Sequence, residues 1–211
     1  MVQIKRLILN SFQENTYIIY DQTNEAVIID AGCHTQPGID EVKKFVSTEN
    51  LKIKYLLITH GHIDHVIGIQ PLKEIYKIEC LSHADELALV KSIPAQANMF
   101  GFEIDKAPVI DKTFKDGDRI TFGNSCIEVI HTPGHSKGGV CFLLRESKIL
   151  ISGDTLFQGS IGRTDLGGNY ETLIMSIINK ILPLGDDIVV YPGHGDSTTI
   201  GYEKKYNPFL R

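Results

Sequence analysis

Residues 59–65 read Thr-His-Gly-His-Ile-Asp-His, which crowds His60, His62, Asp64 and His65 into one short run. Neutral imidazole and carboxylate are the ligand types that hold zinc or iron near neutral pH. The run follows the apolar Tyr55-Leu-Leu-Ile58, which reads as a strand. Leaving a strand, His60 and His62 can point the same way while Asp64 and His65 turn toward a second position. One tight loop can therefore serve two adjacent metals rather than crowd one. The competing reading is a histidine-rich surface turn. Against it stand Pro-Gly-His at 133–135, the same tripeptide at 192–194, and Ser-Gly-Asp at 152–154.

These add His135, Asp154 and His194, each just beyond a strand-like run. The candidate set is then seven residues, five imidazoles and two carboxylates. A structural zinc takes four ligands and closes. Seven suits two metals that share a bridging carboxylate and leave room for a water. Two metals roughly 3.5–4 Å apart can lower the pKa of such a water and polarise a carbonyl oxygen. That is hydrolytic chemistry.

The elements that must position these residues are legible from periodicity. Lys5–Leu9, Asn15–Tyr20 and Ala26–Ile29 read as strands, the third ending at Asp30-Ala-Gly32. Residues 38–49 have helical spacing, and strand Lys54–Ile58 delivers the histidine loop. A helix is expected from His65 to Tyr76, irregular at Pro71, then a strand near Ile78–Leu81 and a helix from Ala84 to Lys91. Residues 92–108 read as a loop crossing between halves and facing substrate. Short strands flank Asp116-Gly117, and Cys126–His131 is a strand. Gly139–Leu144 and Lys148–Ile151 form a hairpin, Tyr170–Ile181 a helix with Leu173, Ile177 and Ile181 on one face, Ile188–Tyr191 a strand and Thr199–Tyr206 a helix.

Bulk properties narrow the class. The 211 residues are 42% hydrophobic and 22% charged, as in a globular domain with a sizeable core. The net charge of −5 disfavours nucleic acid and anionic membranes as partners. No run reaches the roughly 18 apolar residues of a spanning helix, and the N-terminus reads as a strand rather than a signal peptide. A cytoplasmic protein is expected. Cys33, Cys80, Cys126 and Cys141 form no C-x-x-C pair and read as unpaired thiols.

Thr59-His-x-His-x-Asp-His65, His131-Thr-Pro-Gly-His135, Ser152-Gly-Asp-Thr-Leu-Phe157 and Gly193-His194-Gly resemble the metal motifs of the metallo-β-lactamase superfamily. The nearest likeness is to its glyoxalase II (hydroxyacylglutathione hydrolase) branch, in a short form. The resemblance implies an α/β fold, an αβ/βα four-layer sandwich of two mixed β-sheets with helices on the outer faces. One domain is expected over 1–211, with halves near 1–105 and 106–211. It further implies two divalent ions, zinc expected and iron or manganese the alternatives. His60, His62 and His135 would hold the first, Asp64, His65 and His194 the second, and Asp154 would bridge them. Asp30 would support the loop from behind, and His131 would lie at the rim behind the ligands.

By the same resemblance, Asp64 and Asp154 are the catalytic carboxylates, orienting a hydroxide held between the metals toward a thioester carbonyl. A thiol of pKa about 8.5 is a good leaving group. Arg163 stands where the family carries a basic residue that contacts glutathione; a salt bridge to Asp165 is the competing reading. Full-length glyoxalase II has a tyrosine where this chain has Gly195-Asp196-Ser197, and a helical domain beyond the position of Arg211. The expected substrate is thus a small-molecule thioester, acyl-glutathione or a relative, acted on by a monomer or small homo-oligomer. The alternative is a mononuclear iron persulfide dioxygenase, whose branch Gly162-Arg-Thr-Asp165 also resembles.

Overall fold

Strands buried on both faces read as unbroken apolar runs, and here Thr16-Tyr-Ile-Ile-Tyr20, Ala26–Ile29 and Val140–Leu144 have that character. The computed structural model describes residues 2–211. Its elements are β1 (Gln3–Leu9), β2 (Glu14–Tyr20), β3 (Glu25–Ile29), α1 (Gln36–Thr48), β4 (Lys52–Leu57), α2 (Ile63–Val66), α3 (Ile69–Tyr76), β5 (Glu79–His83), α4 (Leu87–Lys91) and α5 (Ile93–Phe100). The second half holds β6 (Lys112–Phe114), β7 (Arg119–Phe122), β8 (Ser125–His131), β9 (Val140–Leu144), β10 (Ile149–Gly153), β11 (Leu156–Phe157), β12 (Ser160–Ile161), α6 (Tyr170–Ser176), β13 (Val189–Pro192), β14 (Thr198–Thr199) and α7 (Ile200–Tyr206).

Two mixed six-stranded sheets result, in the orders β1-β2-β3-β4-β5-β6 and β14-β13-β10-β9-β8-β7. In the first, β1 to β3 are antiparallel and β3 to β6 parallel. In the second only β10 and β13 run parallel. Alternate side chains sort into layers. Tyr17, Ile19, Val27 and Ile29 meet Phe122, Val129, Val140 and Phe142 between the sheets. Their neighbours Ile18, Ile28 and Leu56 pack outward with Val42 and Leu72 of α1 and α3. Cys141, Leu143 and Leu150 do the same with Leu173 and Ile177 on the other side. This is the αβ/βα four-layer sandwich, and the expected fold class is the observed one.

Three local expectations change. Residues 92–108 are not all loop: Ile93–Phe100 form α5, with Pro94 in its first turn, Ile93 and Ala97 buried, and Gly101 closing it at φ 76°. A four-residue apolar spacing and a left-handed glycine cap are helix signals. The chain passes between sheets later, through Lys115–Asp118, since β6 belongs to the first sheet and β7 to the second. The helix expected over 65–76 is broken into α2 and α3 at Gly68, whose N–H donates to Ala31 O at 2.7 Å. Burial pushes the Cys33 thiol up to about 12, as suits an unreactive buried cysteine.

Gly68 sits where the α2–α3 joint crosses the chain beyond β3. A Cβ there would come within 2.5 Å of Cys33 O and 2.8 Å of Ala31 O, both backbone atoms. Gly68→Ala is expected to lower stability by about 1–3 kcal/mol through overpacking. A urea titration reads this directly; an unchanged midpoint would show that the joint yields freely.

Candidate metal centre

All seven expected ligands lie just beyond the C-terminal ends of strands, in the turns or the short helix that follow. β4 leads to His60 and His62, α2 carries Asp64 and His65, β10 ends one residue before Asp154, and β13 ends two before His194. His135 follows the turn after β8. Parallel strands in both sheets release these turns at one edge of the sandwich, which is where ligand sites form in such sheets.

Hydrogen bonds decide which nitrogen each ring offers. Thr59 Oγ1 donates to Asp30 Oδ2 at 2.8 Å, so the 3.0 Å contact from His60 Nδ1 puts a proton on that nitrogen. His65 Nδ1 donates to Asp30 Oδ2 at 2.9 Å. His135 Nδ1 donates to the carbonyl of Arg163 at 2.7 Å, and His194 Nδ1 to that of Phe12 at 3.1 Å. Carbonyl and carboxylate oxygens only accept. Four rings are therefore held by Nδ1–H and turn Nε2 inward. Those atoms face one another, 3.1 Å apart between His60 and His135 and 3.3 Å between His65 and His194. Nitrogens this close call for a proton or a metal cation between them.

The side chains fall into two groups. Ligand atoms of His60, His62 and His135 lie within 4.8 Å of one another, as do those of Asp64, His65 and His194. Asp154 stands between, with Oδ1 3.4 Å from His65 Nε2 and Oδ2 3.6 Å from His135 and 3.7 Å from His194. Its Oδ1 is buried with no hydrogen-bond partner. An orphaned carboxylate oxygen and inward lone pairs fit a pair of divalent cations.

The electrostatics agree. Burial, then the neighbouring histidines His65 and His135, hold His60 well below its ordinary value. Burial and His135 lower His62 to about 4. Burial would also lower His65, but the carboxylates of Asp64, Asp154 and Asp30 override it and hold it well above the usual range. At His194 burial is likewise overcome, by Asp64 and Asp154. Asp64 is lowered against its own burial by His65 and His194. His60 and His62 thus offer neutral rings, and the group of Asp64, His65 and His194 has carboxylates that draw positive charge.

Asp30 is where a supporting residue was expected. It is buried, at φ 54°, and also accepts from Thr59 N at 2.7 Å. His131 reaches the 135–138 loop rather than a ligand ring: it still belongs to β8, its ring stacks on His83 at 4.2 Å, and it donates Nε2–H to Lys137 O at 3.0 Å. His83, Asp85 and His131 also bring ligand atoms together, but rings only 10° from parallel aim their lone pairs side by side rather than at one point. Arg163 lines the cavity over the cluster, yet its guanidinium closes on Asp165 at 2.7 and 2.6 Å. Its backbone carbonyl, which holds His135, is the contact that sequence could not reveal.

Sequence reading also passed over the start of β2. Asn15 Nδ2 donates to the carbonyls of Pro192 and Gly195, both at 2.9 Å, and Tyr17 Oη donates to Pro192 O at 2.7 Å. These bonds bring the His194 turn of the second sheet onto the first. The polar triplet Glu14-Asn15-Thr16 opening an apolar strand was the available signal. Above the cluster lies a cavity of about 600 Å³, walled by Phe12, Phe100, Phe157, Ile161 and Leu166.

Comparison with known proteins places this geometry among relatives. A family model described as the metallo-beta-lactamase superfamily matches residues 9–194. The chain is 41% identical to hydroxyacylglutathione hydrolase GloC of Haemophilus influenzae, over 99% of this chain and 98% of the relative. The structure is similar to the crystal structure of the BLEG-1 B3 metallo-beta-lactamase, with TM-score 0.90, 36% identity and 99% of each chain covered. It is also similar to TTHA1623 in a di-iron-bound form, with TM-score 0.87, 35% identity, and 98% of this chain and all of that one covered.

Asp30→Asn keeps the size, but its one oxygen cannot serve Thr59 N on one side and Thr59 Oγ1 with His65 Nδ1 on the other. Metal retention against a chelator is expected to weaken by about 10–100-fold, the cost typical of losing a ligand's outer support, with the far-UV spectrum unchanged. Wild-type retention in this variant would show that His65 holds its orientation without Asp30.

Proposed function

The chain belongs to the metallo-beta-lactamase superfamily, and on that premise we propose that it is a metal-dependent thioester hydrolase of the glyoxalase II type. The substrate is an acyl-glutathione or a related thioester. The carrying observation is the two groups of inward ring nitrogens with Asp154 between them, opening on a cavity of about 600 Å³. Volumes of 300–1,000 Å³ suit small-molecule substrates.

When bound, two divalent ions supply Lewis acidity, lowering the pKa of a water and polarising the substrate carbonyl. His60, His62 and His135 would hold one ion, Asp64, His65 and His194 the other, with Asp154 shared. Zinc is the expected metal; the di-iron form of a relative keeps iron in view. The protein's own groups do the rest. The Asp64 and Asp154 carboxylates accept hydrogen bonds from the attacking water and aim it at the carbonyl carbon. The phenylalanine and leucine walls hold the acyl and thiol arms and exclude bulk water. A thiolate departs without strong acid assistance, because its pKa of about 8.5 already makes it a stable leaving group. Arg163, paired with Asp165, gives the cavity rim a guanidinium that a substrate carboxylate reaches only by displacing that partner.

Metal-replete protein is expected to release free thiol from S-D-lactoylglutathione or a related thioester, and Asp154→Ala to abolish the release. No turnover of any acyl-thioester would end this reading. One iron per chain with thiol-dependent oxygen uptake would replace it with a persulfide dioxygenase.

A further inference from the structure

The ligand group His60, His62 and His135 is assembled from two loops of different sheets, and no covalent path sets the distance between them. Gly61 separates His60 from His62, and Gly138 lies three residues beyond His135. Both glycine N–H groups point at one side chain. Glu86 Oε2 accepts from Gly61 N at 2.6 Å, and Glu86 Oε1 accepts from Gly138 N at 2.6 Å. Glu86 is 1% exposed and ends the 3₁₀ turn Ala84–Glu86 that leaves β5, a turn whose start is capped by His83 Nδ1 accepting from Asp85 N.

From this geometry we propose that Glu86 is a positioning residue for the metal centre. It sets the spacing between the 60–62 loop and the 135–138 loop, and with it the bite of His60, His62 and His135. The proposal rests on the reading that these histidines hold an ion. A carboxylate suits the role because it has two equivalent oxygens and no proton to place. Hydrogen bonds from N–H groups to a charged acceptor are short and roughly twice as strong as neutral ones. Both oxygens go to the ligand loops, so the buried charge is compensated where the spacing is set. Gln in its place offers one acceptor oxygen, and its NH₂ group opposes the other glycine N–H.

The side chains of the second group, Asp64, His65 and His194, hang from α2 and the turn after β13, with Asp30 and Phe12 O fixing the rings. Loss of the Glu86 contacts is therefore expected to weaken one ion and spare the other.

The test is metal counting on zinc-loaded protein dialysed against graded chelator, for wild type, Glu86→Gln and Glu203→Gln. Glu203 is an equally buried carboxylate that accepts from Gly159 N, Thr198 and Asn207, away from the cluster. It controls for general loosening. Wild type and Glu203→Gln should hold two ions per chain. Glu86→Gln should hold one firmly and release the other at chelator concentrations about 10–100-fold lower. Equal retention in Glu86→Gln and wild type overturns the proposal, as does loss of both ions together. A wild-type chain that takes up no zinc overturns the metal reading and the proposal with it. Should Glu86→Gln fail to fold, amide exchange in wild type decides: zinc should slow Gly61 and Gly138 in step, and independent behaviour of the two overturns the proposal.

Discussion

One buried carboxylate holds the ligand loop in place. Asp30 ends β3 in the left-handed region and receives Thr59 N–H, Thr59 O–H and His65 Nδ1–H. An ionised carboxylate away from water is tolerated only with this many donors. The consequence reaches further than the bonds themselves. Thr59, fixed by Asp30, orients His60 in turn, so a single carboxylate sets the tautomer of two of the expected ligands, one in each group. Residues in left-handed conformations are costly for side chains other than Gly, Asn and Asp, and here that conformation turns the carboxylate back over the end of β4.

The same device recurs across the site. Ring orientation comes from backbone carbonyls at His135 and His194, and loop position comes from Asn15, Tyr17 and Glu86. Those of His194, Asn15 and Tyr17 join a group on one sheet to a group on the other, and Glu86 does so through Gly138. The cluster is thus also a joint between the two halves. Its two pairs of facing ring nitrogens are held in place by the rigidity of the sandwich. A scaffold that keeps these nitrogens together is preorganised for cations.

The cavity divides differently. Its floor is charged and its walls are aromatic and aliphatic, with Phe12 edge-on to Phe100 at 5.3 Å. Phe12 comes from the β1–β2 turn and Phe100 from the last turn of α5, so the segment expected as open loop supplies a wall through a helix. Arg6 and Arg163 each carry a carboxylate partner near the cavity, Asp196 and Asp165. Away from the charged floor the rim is therefore close to neutral, and its walls offer mainly apolar contact.

The sequence alone determined which donor residues gather at the candidate site, because metals demand particular donor atoms and the motifs Thr-His-x-His-x-Asp-His, Pro-Gly-His and Ser-Gly-Asp place them just past apolar strands. The periods of doubly buried strands and amphipathic helices made most elements readable, while the layers were what the resemblance of those motifs to a known family implied. The sequence could not assign roles that depend on backbone carbonyls or on residues distant in the chain. Arg163 was read for its guanidinium and holds His135 by its carbonyl. His131, four residues from a ligand, stayed on its strand and faced His83. Glu86 carries no motif at all, and only the approach of two loops from different sheets makes its carboxylate the bond between them. Donor type is written in local chemistry. Which donors meet, and which nitrogen each one offers, is decided where the two sheets close on each other.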